Sequence, residues 1–283
     1  MNSRRLRLKL TALLAAGTTA LALANPVAAQ AASPFTEEFD GAAGAAPNGA
    51  VWNYEVGGGG WGNNEIQTYT NARANSRLDG NGNLLIQARN TGSGWTSARI
   101  NTFDKFTFTY GTVSARMKMP TGKGLHTGFW LLGTDIYSAG FPESGEVDIA
   151  EHINGSNFVH VGIHGPTSTG GLGTGSLDLS ALGGIFAPLA GRYTLGSDKT
   201  GIDPSQFHTY GVTKTRDKLS FLFDGAEFYS ISKSSLSAGQ RWVFDKPVYV
   251  ILNLAVGGDW PGAPDGNTAD SATVTIDWIR YTP

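Results

Sequence analysis

Beyond the first thirty residues, no stretch of the chain repeats apolar residues at the spacing of an amphipathic helix. Short β-prone runs recur instead, among them GNLLIQARN, KFTFTYGTVSARMKM, GFWLLG, GEVDIAEH, FVHVGIH, FHTYGVTKT, KLSFLFDG, PVYVILNLAV and ATVTIDWIRYT. Clusters of Gly, Pro, Asn and Asp separate them. Such punctuation favours antiparallel hairpins, because antiparallel neighbours need only short loops whereas parallel neighbours need long crossovers. The expected fold is all-β: an antiparallel β-sandwich of jelly-roll type, in one domain over 33–283. Thirty-nine glycines and 11% aromatic residues fit that reading. Gly165 to Asp203 is rich in Gly, Ser and Thr with little alternation, and is expected to be a long surface loop.

The opening MNSRRLRLKLTALLAAGTTALALANPVAAQAAS carries a basic head, an apolar stretch and small residues. This is the layout of an export signal over residues 1–31, cleaved near Ala29 or Ala31 and routed by the general or the twin-arginine pathway. Gly17, Thr18, Thr19 and Asn25 interrupt the apolar length of about 20 residues that a span requires, so no membrane attachment is expected after removal. Losing Arg4, Arg5, Arg7 and Lys9, and no acid, moves the formal charge from −2 to −6. A mildly acidic domain without basic runs argues against a nucleic-acid groove. The absence of cysteine excludes disulfides and thiol chemistry. The expectation is a secreted, extracellular monomer.

Within SGEVDIAEH, the acids Glu146, Asp148 and Glu151 crowd together in a chain with only 16% charged residues. Strand side chains alternate, so Glu146 and Asp148 share one face and Val147 and Ile149 the other. Glu151 joins the acids only if one extra residue is absorbed, as a β-bulge around Ile149 and Ala150 would do. A solvated edge would mix Lys, Ser or Thr among the acids, and a calcium loop would usually carry a glycine turn. Two glutamates with a neighbouring aspartate suit retaining glycoside hydrolysis. There, one carboxylate attacks the anomeric carbon and a second carboxyl protonates the leaving oxygen. No H-E-x-x-H spacing supports a catalytic zinc, and no catalytic cofactor is expected.

The pattern E-x-D-x-x-E resembles the signature of glycoside hydrolase family 16 in its bulged, laminarinase-like form. GGGGWGNNEIQTYT, GNLLIQA, FTYGTVSARMKMP, GFWLLG, FHTYGVT and ILNLAVGGDWPGAPD resemble, in order, stretches of bacterial endo-β-1,3-glucanases. The resemblance implies a curved jelly roll whose concave face holds a cleft for a linear β-glucan. It implies Glu146 as nucleophile, Glu151 as acid/base, and Asp148 as the assisting acid between them. It also puts Asn253 and Arg116 in the cleft, and a structural calcium on the far side, held by Asp277 with backbone near Glu38 and Gly82.

Sugar rings present apolar C–H faces, so aromatic platforms flanked by amides and carboxylates are expected along such a cleft. Trp61, beside Asn63, Asn64 and Glu65 in a glycine-flanked segment, and Trp260 in GGDWPG are candidate platforms. Trp130 in FWLL is an even choice between cleft and core, as is His164 between cleft and strand. Trp52, Trp242 and Trp278 read as core, and His152 is expected to face away from Glu151. The chain departs from the resembled pattern at His126-Thr127-Gly128, where Trp-Pro-Ala is usual, at Ser114 in place of Glu, and at Lys214 in place of Trp. The loss of an aromatic and a carboxylate near the expected cleft bears on substrate preference and on the strength of subsite binding. The expected function is that of a secreted, retaining endo-β-1,3-glucanase. Mixed-linkage glucanase, β-1,3-galactan hydrolase and transglycosylase are the related alternatives, and a non-catalytic glucan-binding protein is the competing class.

Overall fold

The structure, a computed structural model, describes residues 33–168 and 191–283; the expected export signal lies outside them. Two sheets stack face to face. The one that carries the acids is ordered Arg192–Thr200, Phe158–Pro166, Glu146–Ile153, Leu125–Gly133, Val248–Val256, Arg99–Asn101 and Asn53–Glu55. Its first four strands are sequential neighbours in the chain and pair antiparallel. The back sheet is ordered Ala226–Ser232, Lys218–Phe223, His208–Lys214, Gly111–Lys118, Ser271–Thr282, Leu84–Asn90, Trp95–Ser97 and Thr68–Tyr69. Only its last pair is parallel among the strand pairings of the described residues. The expected all-β jelly roll is therefore what the chain forms.

Alternation decides which side chains enter the core. Val113, Ala115 and Met117 point inward from the back sheet, and Phe129, Leu131, Leu252 and Leu254 meet them from the acid-bearing sheet. Phe129 is fully buried, and truncating a ring of that kind to Ala costs about 3–5 kcal/mol. The strand Val248–Val256 is buried at every position, which is why VYVILNLAV reads as a continuous apolar run. Its second face is covered by a smaller cluster of Trp130, Leu132, Ile136, Tyr249 and Ile251, packed with Phe103 and Phe141.

The acid strand carries the expected bulge. Phe129 pairs with Ala150 and Trp130 with Asp148, so Ile149 is the extra residue. Ile149 and Ala150 both lie in the core, one after the other, which a regular strand would not allow.

Three expectations are corrected by the same alternation. Ser114 and Arg116 share the outward face of Gly111–Lys118 on the back sheet, opposite the inward Val113, Ala115 and Met117. Arg116 pairs with Asp277 and lies over the Phe207 ring, 4.4 Å from its centroid, so it takes no part in the cleft. Lys214 is also remote from the acids. It is fully buried at the end of His208–Lys214, donating to Thr109 O at 2.5 Å and Lys246 O at 2.9 Å over the Tyr110 ring. The expected loop from Gly165 to Asp203 also contains an edge strand, Arg192–Thr200, while residues 169–190 lie outside the described ones.

The calcium expectation fares differently in its two parts. A Cβ on Gly82 would stand 3.8 Å from Glu38 O, so those backbone segments do meet. Asp277, the expected side-chain ligand, instead holds the Arg116 guanidinium, and the Glu38 carboxylate holds Arg280 at 2.9 Å. A divalent cation would have to take the Asp277 carboxylate from the Arg116 guanidinium.

Burial pushes the Lys214 ammonium down to about 7, with Asp245 only partly opposing and Lys246 adding to the fall. An unfolded lysine keeps its proton to about pH 10.4. Between those values the unfolded chain binds more protons, so this residue makes stability rise with pH. Lys214→Met should remove that slope: in urea titrations, the variant's stability relative to the wild type is expected to fall from pH 7 to pH 10. A constant difference across that range would contradict a buried, titrating ammonium.

Candidate active site

The bulge turns Glu151 to the same side as Glu146 and Asp148, and all three line an open cleft of about 700 Å³. Register then fixes their neighbours. Glu146 pairs with His164, which pairs with Thr194; Glu151 pairs with His160, which pairs with Asp198. His164 Nδ1 is 2.8 Å from Thr194 Oγ1, while its Nε2 reaches 3.3 Å from Asp148 Oδ2 and 3.6 Å from Glu146 Oε1. His160 Nδ1 is 2.7 Å from Asp198 Oδ1. The rows are separated by Asp148, Gly162 and Gly196. A Cβ at Gly196 would stand 2.6 Å from His160 Nε2, so a bare backbone is what admits that ring.

A directional hydrogen-bond chain forms the other wall. Trp130 Nε1 donates to Asn253 Oδ1 at 2.8 Å, Asn253 Nδ2 donates to Tyr69 OH at 3.1 Å, and Tyr69 OH donates to Glu65 Oε2 at 3.2 Å. Gln67 Nε2 donates to the same Glu65 oxygen at 2.6 Å, and its own Oε1 accepts the Val256 amide at 2.7 Å. Each donor is committed, which holds the polar groups of the wall in one arrangement. Beside this chain, Arg99 forms an ion pair with Glu55 at 2.7 Å and lies between the rings of Trp61 and Trp130, 4.9 and 4.7 Å from their centroids.

The acids sit in unlike surroundings. Leu132, part of the smaller apolar cluster, pairs opposite Glu146. Burial first, and then the charge of Asp148, push the Glu146 carboxyl up to about 8 against the pull of His164. Asp148 is also held well above the usual carboxylate range, by burial and by Glu151. Burial acts the same way on Glu151, but the hydrogen bond and charge of His126, helped by His164 and His160, outweigh it and hold this carboxyl below its ordinary value. His126 Nε2 lies 2.9 Å from Glu151 Oε1. Burial lowers the His126 ring, and its bond to Glu151 more than reverses this, leaving it raised.

Of the residues expected from sequence, Asn63, Glu65, Trp130, His164, Asn253 and Trp260 join the three acids in the cleft. Trp260 is 42% exposed, as a platform must be. Arg116 is absent from it, for the reason given above. Trp61 is corrected as well: it is 5% exposed, packs edge-on to Tyr69 and supports Arg99 from beneath. Its glycine-flanked segment folds inward, with Trp61 Nε1 donating to Gly57 O at 3.1 Å. His152 faces away as expected, its Nδ1 3.2 Å from Phe158 O.

Arg99, His160, Arg192, Thr194 and Asp198 line the cleft and were not expected there. Once the pairing is known, His160 and Asp198 follow from the register opposite Glu151. Arg99 carried a usable signal, a lone cation in a strand otherwise committed to burial.

Comparison with known proteins gives the same picture. The profile of Glycosyl hydrolases family 16 matches residues 62–280. A beta-glucanase of Rhodothermus marinus is 33% identical over 256 residues, covering 87% of this chain and 83% of that protein. The glucan endo-1,3-beta-glucosidase A1 of Niallia circulans is 31% identical over 81% of this chain, which spans only 35% of that longer protein. Among solved structures, the catalytic domain of an endo-1,3-beta-glucanase (laminarinase) from Thermotoga petrophila RKU-1 superposes with a TM-score of 0.72. It is 33% identical over 89% of this chain and 96% of that one.

The wall depends on Gly128, where a Cβ would stand 2.7 Å from Asn253 Oδ1 and 3.1 Å from Trp130 Cδ1. Gly128→Ala is expected to part Trp130 from Asn253, altering the near-ultraviolet circular dichroism of the tryptophans. The denaturant midpoint should drop by the equivalent of about 1–3 kcal/mol. An unchanged spectrum and midpoint would show that the wall tolerates the methyl group.

Proposed function

The chain belongs to glycosyl hydrolase family 16, and from that premise we propose that it is a secreted, retaining endo-β-1,3-glucanase. The observation that carries the reading is the bulged strand, which puts Glu146, Asp148 and Glu151 on one face of an open cleft.

In the first step Glu146 attacks the anomeric carbon while Glu151 gives its proton to the departing glycosidic oxygen, leaving a glycosyl ester on Glu146. In the second step the Glu151 carboxylate takes a proton from a water molecule, whose oxygen attacks the same carbon and releases Glu146. Glu146 must be ionised to attack. Burial is the first cause that keeps it protonated and the charge of Asp148 the second, and a proton resident on Asp148 removes that second contribution. Asp148 is suited to the task, being 3% exposed and held well above the usual carboxylate range. Glu146 Oε2 accepts no hydrogen bond from the described residues, as suits an oxygen reserved for the sugar. The exposed Trp260 supplies an apolar face for a ring, and Asn63, Glu65 and Asn253 supply hydrogen-bonding groups for hydroxyls.

Laminarin, curdlan, lichenan and a β-1,3-galactan digested in parallel, with product anomers followed by NMR, test substrate and mechanism together. Laminarin and curdlan are expected to be cleaved with β-anomers appearing first. An initial α-anomer would rule out double displacement, and lichenan cleaved in preference would make the enzyme a mixed-linkage glucanase. Glu146→Ala is expected to lose about three orders of magnitude or more in kcat on laminarin with its fold intact. Export through residues 1–31 predicts that protein recovered from the culture medium begins at Gln30 or Ala32; an N-terminus at Met1 would refute cleavage.

A further inference from the structure

At the Glu151 end of the cleft lies a histidine that the two steps above do not use. His126 sits on the strand Leu125–Gly133, where Gly128 pairs opposite Glu151. It is therefore one pleat further along on the cleft face and reaches back to the carboxyl. Its Nε2 is 2.9 Å from Glu151 Oε1, and its Nδ1 is buried without a hydrogen-bond partner, so the hydrogen bonding of the ring is committed to that one acid. Trp260 stands edge-on to it with centroids 5.4 Å apart, closing the open side. His126 occupies one of the positions where the chain departs from the pattern it otherwise resembles. A tryptophan there would supply neither a titrating group nor a compact donor.

We propose that His126 is a positioning residue for the acid/base: it holds Oε1 of Glu151, leaves the second oxygen to address the glycosidic bond, and sets the pH range in which the carboxyl can give up its proton. The proposal rests on the reading of Glu151 as acid/base. During bond cleavage the proton passes from Glu151 to the leaving oxygen, and the carboxylate left behind keeps the His126 hydrogen bond. A donor that stabilises the carboxylate makes Glu151 a stronger acid. The limb where activity falls with rising pH is thereby moved to lower pH.

Other charged groups face this pair and are common to all variants compared. Asp148 lies on the acid strand, with His152 behind it; His160 and His164 lie on the next strand, with Asp198 bonded to His160. Glu65 acts from the facing loop, and Asp259 lines the cleft beside Trp260.

The test compares pH profiles of kcat/KM on laminarin for the wild type, His126→Phe, His126→Gln and Glu151→Gln. A dinitrophenyl β-1,3-glucan oligosaccharide, whose leaving group needs no proton, serves as the second substrate. His126→Phe is expected to move the basic limb up by about one pH unit, the scale of a hydrogen bond to an ionised group. It should lower kcat on laminarin about tenfold with KM little changed, and leave kcat/KM on the dinitrophenyl glycoside unaffected. His126→Gln, which keeps a donor, is expected to hold the limb near its wild-type position. If His126→Phe does not fold, His126→Ala with and without added imidazole gives the same reading, the limb moving up and returning. A wild-type profile in the variant lacking a donor, beside a Glu151→Gln enzyme that has lost kcat/KM on laminarin but kept it on the dinitrophenyl glycoside, overturns the role of His126. A Glu151→Gln enzyme fully active on laminarin overturns the acid/base reading instead.

Discussion

One inserted residue in one strand organises the cleft. Ile149 displaces the register so that Ile149 and Ala150 both enter the core and Glu151 returns to the face of Glu146 and Asp148. The side chains on that face then follow from pairing: Gly128 and His160 opposite Glu151, Leu132 and His164 opposite Glu146. Removing the insertion would send Glu151 toward the core and turn every later residue of the strand to the opposite face. The bulge is held by what it buries, since Ile149 and Ala150 are 1% and 0% exposed and lie against the back sheet.

Burying carboxyls is costly, and the structure offsets the cost by different means at the two ends. At Glu146, burial beside Leu132 and the charge of Asp148 push the carboxyl toward its neutral form. At Glu151 three histidines favour the ionised form. This division follows from cross-strand geometry, because His126, His160 and His164 reach the acids from the two strands that flank them. The wall of Trp130, Asn253, Tyr69 and Glu65 adds rigidity without a further cation.

Much of this was legible in the sequence. The alternation of Val147 and Ile149 with the acids, broken by Ala150, demands a bulge if Glu151 is to share their face. The misplacements share a cause. Alternation tells which residues of a strand share a face, but it cannot tell which of two stacked sheets the strand joins. Ser114, Arg116 and Lys214 were therefore grouped with the cleft, although their strands belong to the back sheet. Trp61 failed for another reason: glycines around an aromatic suggest exposure, yet this loop turns inward and the ring supports Arg99. The strand Arg192–Thr200 was hidden because an edge strand with Gly196 at its centre, alternating weakly between half-buried and exposed positions, has almost no apolar signature.

The unequal surroundings of the two glutamates bear on the order of events. In the free protein the apolar end favours a proton on Glu146 or Asp148, and the histidine end favours ionised Glu151. The first step of the proposed double displacement needs the reverse, an ionised Glu146 and a protonated Glu151. A sugar ring seated against Trp260 excludes water from the Glu151 side, which raises that carboxyl. Hydroxyls offered to the unpaired Glu146 Oε2 stabilise its charged form. Both changes run toward the reactive state. On the proposed mechanism, substrate binding would do part of the catalytic work, redistributing protons within a cluster whose total charge need not change. The His126 contact limits how far that redistribution goes. A stronger grip on ionised Glu151 favours the carboxylate formed on bond cleavage and opposes the protonation that must come before it, so the ring cannot help one half of the cycle without slowing the other.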